Sequence, residues 1–272
     1  MVDDRYGSLS RPPLAAAALR AALTGPGRAW TELLVVPVTG STNADLARQA
    51  RSGAGAGLVL VAEEQSGGRG RLGRSWTSPA RSGLTFSVLL RPTSPPSRLG
   101  WLPLAAGLAV AEAVATVGEL DVRLKWPNDI LVGERKLGGV LAERVGGAVV
   151  IGVGLNVSAV QAELPAPTAT SLVIEGAACT DRDPLLRAVL RRLAQRVAAW
   201  DAPGGDPDLA ADYTARCATL GRTVRAELPG RHITGIAEGL DGDARLRLLT
   251  ADGVQLVGAG DVVHLRLSLI HI

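Results

Sequence analysis

DVRLKWPNDILVGERKLGGVLAERVGGAVVIGVGLNVS, Asp121 to Ser158, shows how the chain is laid out. Apolar runs alternate here with short glycine turns. DVRLKWPNDILV reads as a strand, a sharp break at Pro127, and a second strand. Gly133 and Glu134 make a tight turn, and RKLGGVLAERV (Arg135 to Val145) returns. Gly146 and Gly147 turn again, and AVVIGVGLNVS (Ala148 to Ser158) follows as a third long strand. Glycine turns between apolar runs signal hairpins and hence antiparallel neighbours.

Nearer the N-terminus, SRPPLAAAALRAAL (Ser10 to Leu23) reads as a short helix with prolines near its start. TELLVVPV (Thr31 to Val38), GLVLVAEEQ (Gly57 to Gln65) and SGLTFSVLLRP (Ser82 to Pro92) read as strands. TGSTNADLARQA (Thr39 to Ala50) reads as a capped turn entering a helix. Ser97 to Val117, Asp181 to Trp200 and Asp206 to Cys217 read as further helices. From Leu220 the texture changes: TVRAEL, HITGIAEGL, ARLRLLT and VQLVGAGDVVHL follow one another with Gly/Asp turns, the pattern of a small β-barrel. The expected fold class is α+β: a mixed, largely antiparallel sheet with helices on one side, plus that small C-terminal barrel. The expected divisions are 1–218, 219–266, and a tail at 267–272. The ending LSLIHI does not continue the pattern and resembles translated adapter sequence, so the native end is expected near Arg266.

Bulk composition narrows the function. The chain has 272 residues, is 47% hydrophobic and carries a net charge of +3. That suffices for a core and is too mild for a dedicated DNA binder. Only 3% of residues are aromatic, which disfavours a base-stacking groove. Cys179 and Cys217 have no metal or disulfide spacing and read as free thiols of a cytoplasmic protein. No signal peptide is visible. The apolar run Leu102 to Gly118 contains Glu112 and reads as a core helix, so no membrane is expected. His232, His264 and His271 all fall in the last fifth of the chain, so a histidine-based triad is disfavoured.

The second informative stretch is GGRGRLGRSW, Gly67 to Trp76. Gly68, Gly70 and Gly73 spell G-x-G-x-x-G after a strand. A dinucleotide fingerprint must open a helix, whereas RSWTSPARSG and a strand follow here. No G-K-[ST] exists for a P-loop, and no helix-turn-helix pair precedes the sheet. What remains is a mobile anion clamp. Arg69, Arg71 and Arg74 offer guanidinium forks for carboxylate or phosphate, on glycines that let the loop move. Alone, such a loop is by default a solvated basic turn. The chain's two lysines, Lys125 and Lys136, both lie in KWPNDILVGERKLGGVL.

At this point the sequence resembles the biotin–protein ligases (biotin–[acetyl-CoA-carboxylase] ligase), in the form without an N-terminal DNA-binding domain. The matching pieces, in order, are GSTN (Gly40 to Asn43), EEQSGGRGRLGRSW (Glu63 to Trp76), KWPNDI (Lys125 to Ile130), RKLGGVLAE (Arg135 to Glu143) and GVGLNV (Gly152 to Val157). The resemblance implies the class II synthetase-like biotin/lipoate ligase fold and an SH3-like C-terminal domain. It implies that ATP and biotin give biotinyl-5′-AMP and pyrophosphate, with Mg2+ as companion ion. A lysine on a biotin carboxyl carrier protein then attacks, releasing AMP. No specific nucleic acid is implied. Such chemistry needs charge stabilisation on carboxylate and phosphate rather than a histidine base.

The resemblance also implies roles. Lys136 neutralises the biotin carboxylate and the α-phosphate; Arg71 contacts the same phosphate. Arg69 and Gly70 close the loop over biotin, and Arg74 reaches the triphosphate. Ser41, Thr42, Asn43 and Gln65 bind the ureido end, although the first three are also a plain helix cap. Gly138 and Gly139 let the biotin ring lie against the sheet. Trp76 packs near the adenine or covers the site, or is ordinary core. Asn128 and Asp129 suggest ATP or magnesium contact, and Asn156 reaches the adenine. Leu72 stands where many such loops have a further arginine, which puts tight retention of the adenylate in question. The alternative activity is lipoate/octanoate–protein ligation, and that from another class is a biotin-responsive repressor.

Overall fold

A computed structural model of the chain describes residues 11–258 and 260–265. Ser10, Arg266, His271 and the tail expected at 267–272 lie outside the described residues. The elements are α1 (Ala16–Leu23), β1 (Glu32–Val36), α2 (Thr42–Arg51), β2 (Leu58–Ala62), β3 (Gly83–Leu90), α3 (Trp101–Val117), β4 (Val122–Lys125), β5 (Asp129–Val132), β6 (Arg135–Val145) and β7 (Ala148–Asn156). α4 (Arg182–Asp201), α5 (Leu209–Arg216), β8 (Thr223–Leu228), β9 (Arg231–Leu240), β10 (Leu246–Thr250), β11 (Gly253–Val257) and β12 (Asp261–His264) follow.

The first seven strands form one sheet in the order β1-β2-β3-β7-β6-β5-β4. Only β1 and β2 pair in parallel; every other neighbour is antiparallel. The sheet is therefore mixed and largely antiparallel, as the hairpin signals indicate. Gly133 and Gly146 carry the positive φ angles (57° and 59°) that turn β5 into β6 and β6 into β7.

Strand alternation assigns the two faces. Val149, Ile151, Val153 and Leu155 of β7 join α1, α3, α4 and α5 in the main core. Each such buried aliphatic side chain contributes about 1.5–3 kcal/mol. α3 is apolar all round, which suits a helix buried on every side; Leu102, Ala105, Leu108 and Ala109 are fully enclosed. By length and composition its run could cross a membrane, but here it packs against β4, β6 and α4. Among the described residues, α2 is the one helix on the other face. Its Leu46, Ala47 and Ala50 cover Leu60, Leu89, Ala148 and Val150.

The C-terminal strands form a second, antiparallel sheet in the order β11-β10-β9-β8-β12. Val224, Ala226, Ala237, Leu246, Leu248, Val257 and Val262 are its buried side. The run read from sequence as one strand, Val254 to Leu265, divides into β11 and β12, which occupy opposite edges. The sheet docks onto the first through Trp101 Nε1, which donates to Gly242 O (2.8 Å), and Trp126 Nε1, which donates to Ala244 O (3.1 Å).

Candidate functional site

On the α2 face of the sheet, large residues give way to small ones. Along β7 the side chains facing α2 run Ala148, Val150, Gly152, Gly154. Thr85 and Ser87 of β3 stand opposite Gly154 and Gly152; Gly139 and Leu141 of β6 stand on their other side. Where the aliphatic side chains stop, the helix no longer fills the face, and a cavity of about 240 Å³ opens. Its rim is the loop from Gln65 to Trp76, the turn from Lys125 to Asp129, Lys136, and Asp261 to Val263 of β12.

One end of the cavity is a hydrogen-bonded polar cluster. Ser41 caps α2 through the Ala44 N–H (3.4 Å). The Thr42 N–H donates to Gln65 Oε1 (2.8 Å), and Thr42 Oγ1 lies 2.7 Å from Ser87 Oγ. Ser87 Oγ donates to Asn43 Oδ1 (2.5 Å), and Asn43 Nδ2 donates to Glu143 Oε2 (2.7 Å). Gly152 is required here, because a Cβ on it would overlap the Asn43 amide.

The other end is cationic. Arg69, Arg71, Arg74, Lys125 and Lys136 line the cavity against two carboxylates, Asp129 and Asp261, and no histidine. That excess favours an anionic ligand. Lys136 Nζ donates to Asp129 Oδ1 at 2.5 Å, with an irregularity in the β5–β6 ladder at Ile130/Leu131 placing the two on one wall. Burial works against the charge on Arg71, which Asp129 supports and Arg74 opposes. Burial likewise lowers the Lys125 pKa, with Asp129 raising it and Lys136 lowering it further.

The glycine–arginine loop is folded back on itself. The Gly70 N–H donates to Arg74 O (2.7 Å) and the Trp76 N–H to Gly68 O (2.9 Å), with Leu72 and Gly73 at positive φ. Arg71 Nη2 donates to Gly260 O (3.0 Å), and Arg74 is ion-paired with Asp261. Trp76 lies against Gly154, where a Cβ would overlap its ring. Arg71 Nε and Trp76 Nε1 are buried donors without an acceptor. Such groups cost about 1–3 kcal/mol each, and an oxygen-bearing ligand would satisfy them.

The structure thus brings Ser41, Thr42, Asn43, Gln65, Arg69, Gly70, Arg71, Arg74, Trp76, Asn128, Asp129, Lys136 and Gly139 to one cavity. Two expected residues are not on its wall. The space beside Gly138 belongs to the β7 backbone, since a Cβ there would meet Gly154 O at 2.5 Å. The Asn156 side chain is buried and donates to Thr170 O (2.9 Å). Sequence reading assigned no role to Thr85, Ser87, Glu143, Gly152, Gly154 and Asp261, and it noted Lys125 without placing it in the site. Among the described residues, no group of three or more His, Cys, Asp or Glu is placed to hold a metal ion.

Residues 35–158 match the Biotin/lipoate A/B protein ligase family, and residues 219–265 match the Biotin protein ligase C terminal domain. The chain is 48% identical over 262 residues to a biotin–[acetyl-CoA-carboxylase] ligase of Mycobacterium tuberculosis, covering 94% of this chain and 97% of that one. A solved biotin protein ligase from Aquifex aeolicus in complex with biotin and ATP superposes with TM-score 0.75 at 32% identity, covering 87% of this chain and 100% of that one. A Leishmania major biotin protein ligase in complex with biotinyl-5-AMP gives TM-score 0.61 at 28% identity, covering 84% and 99%. This chain belongs to the biotin protein ligase family.

Proposed function

We propose that this protein joins biotin to ATP, forming biotinyl-5′-AMP and pyrophosphate, and then passes biotin to a lysine of a carboxylase's biotin carboxyl carrier domain. The observation that carries this reading is the two-ended cavity: a hydrogen-bonding cluster at one end and five cations at the other. Biotin has a matching polarity, with a ureido ring at one end and a carboxylate at the other. The family likeness favours biotin over lipoate or octanoate.

In this reading the cluster of Ser41, Thr42, Asn43 and Gln65 orients the ring. The carboxylate then points at Lys136 and the loop arginines. Carboxylate and triphosphate are both anionic, so their approach is opposed by charge. Lys136 and Arg71 neutralise both partners as the carboxylate oxygen attacks the α-phosphorus and pyrophosphate leaves. Arg74 and Lys125 supply charge for the departing phosphates. The loop keeps water from the mixed anhydride. In the second step a carrier lysine amine attacks the acyl carbon, the amide bond forms, and AMP departs.

Magnesium enters as the companion of ATP. The chain offers Asp129, held by Lys136, and Asp261, held by Arg74, rather than a preformed cage. This suits an ion that keeps its waters and rides on phosphate oxygens.

Incubating the protein with biotin, ATP, magnesium and an isolated carrier domain tests the reading by intact-mass spectrometry. One biotin added to one carrier lysine is the expected product. An unmodified carrier, with AMP formed all the same, would contradict the transfer step.

A further inference from the structure

Glu143 ends the RKLGGVLAE segment, and the activity assigned above gives it no task. Its carboxylate lies at the end of a chain of hydrogen bonds that starts inside the cavity. Asn43 Nδ2 donates to Glu143 Oε2 (2.7 Å) and to Leu141 O (3.3 Å). Ser87 Oγ donates to Asn43 Oδ1 (2.5 Å), and Thr42 Oγ1 lies 2.7 Å from Ser87 Oγ. Thr42, Asn43 and Ser87 are all buried.

Proton counting gives this chain one direction. An ionised carboxylate only accepts, so Asn43 must turn its NH2 group toward Glu143 and its carbonyl toward Ser87. Ser87 has one proton and gives it to Asn43, so toward Thr42 it only accepts. Thr42 has one hydroxyl proton, and the Ser87 oxygen takes it. Gln65 Oε1 lies 3.1 Å from the same hydroxyl but is already held by the Thr42 backbone N–H (2.8 Å), and the shorter 2.7 Å contact with Ser87, which has no proton to spare, takes the hydroxyl proton. Thr42 Oγ1 therefore faces the cavity with lone pairs and no proton.

We propose that Glu143 is a specificity-determining positioning residue. By fixing the direction of the chain Thr42→Ser87→Asn43→Glu143, it makes the polar end of the cavity an acceptor of hydrogen bonds. It thereby selects carboxylic acids whose far end carries an N–H donor over those ending in a dithiolane or an alkyl chain. This rests on the biotin reading above. It adds that discrimination depends on a carboxylate that itself lies outside the cavity wall.

The test uses pyrophosphate release by the purified full chain with biotin or octanoate. Glu143→Ala removes the anchor. Asn43→Asp removes the donor and sets two carboxylates against each other. The double variant Asn43→Asp/Glu143→Gln restores an N–H···O bond in reverse, while the carboxylate introduced at position 43 still accepts from Ser87. The expected result is a biotin KM raised at least about tenfold in each single variant. In Glu143→Ala the ATP KM and the background rate with octanoate should stay within about twofold, and the double variant should regain most of the biotin KM that Asn43→Asp loses. An unchanged biotin KM in Glu143→Ala would overturn the proposal. So would biotin and ATP KM values rising together, or a double variant no better than Asn43→Asp. Wild-type protein inert toward biotin would instead overturn the biotin reading, and this inference with it.

Discussion

Arg74, in the glycine-rich loop, is ion-paired with Asp261, the first residue of β12. Beside it, Arg71 Nη2 holds Gly260 O. Two of the loop's three arginines are thus engaged by the C-terminal sheet, and Asp261 to Val263 form part of the cavity wall. The small domain takes part in the site. Asp261 presents a carboxylate to the arginine proposed for the triphosphate, so the two anions compete for one guanidinium.

Releasing that contact should loosen the loop. The pair is partly exposed, with 56% of the Arg74 side chain and 30% of Asp261 accessible, so its strength is at most about 1 kcal/mol. Asp261→Asn should therefore speed tryptic cleavage after Arg69, Arg71 or Arg74 by up to about fivefold in the nucleotide-free protein. Cleavage at the wild-type rate would show that Asp261 does not hold the loop.

Arg71 has a different prediction, because its burial and its acceptor-free Nε point to a role once ligand is present. Arg71→Ala should release biotinyl-AMP about ten- to a hundredfold faster, while adenylate synthesis remains measurable. Rapid filtration of enzyme loaded with radiolabelled adenylate reads this directly, and an unchanged release rate would remove Arg71 from the clamp.

Gly152 tests the geometry of the polar end. A methyl group at this position overlaps the Asn43 amide and comes within 3.2 Å of Ser87 Oγ. Gly152→Ala should cost about 1–3 kcal/mol of stability and raise the biotin KM at least about tenfold, leaving the ATP KM nearly unchanged. Equal effects on both substrates would mean that the residue supports the sheet generally.

These residues also mark where sequence reading stops. The hairpins around Gly133 and Gly146 are local and were legible from turn chemistry. The glycine–arginine loop and the pair of lysines stood out because a basic, flexible segment and two rare lysines have few reasons to occur together. Ser87, Gly152 and Glu143 carry no such mark. Ser87 reads as a small residue in a strand, and its role depends on Asn43 arriving from a helix 44 positions away. Asp261 depends on a docking between sheets that no local pattern encodes. Gly138 and Asn156 show the opposite relation between motif and contact. They lie within conspicuous motifs, yet one serves strand approach and the other holds the Thr170 carbonyl.

His264 gives a pH prediction. Burial first, then Lys125 and Arg222, push its pKa down to about 4 in the folded protein. Thr219 Oγ1, which accepts the Trp126 N–H (3.0 Å), lies 3.1 Å from Nε2 and suits a neutral ring. The unfolded chain binds the proton near pH 6.5, so this contribution to stability is complete above that value and is lost as pH falls toward 4. The ring is half-buried, and after allowance for screening the loss between pH 7 and 5 is about 1 kcal/mol, or roughly 2–4 °C in Tm. His264→Gln should flatten that part of the profile. An equally steep decline in the variant would assign it to other groups.

If the cavity activates biotin and Lys136 neutralises the joining anions, both the acid and the lysine are indispensable to the first step. Pyrophosphate release with ATP and magnesium, compared for biotin, lipoate and octanoate, tests this most directly, with Lys136→Ala run in parallel. Release is expected with biotin alone, with a fall of at least about a thousandfold in the variant. Release driven by lipoate or octanoate, or wild-type release from Lys136→Ala, would contradict it.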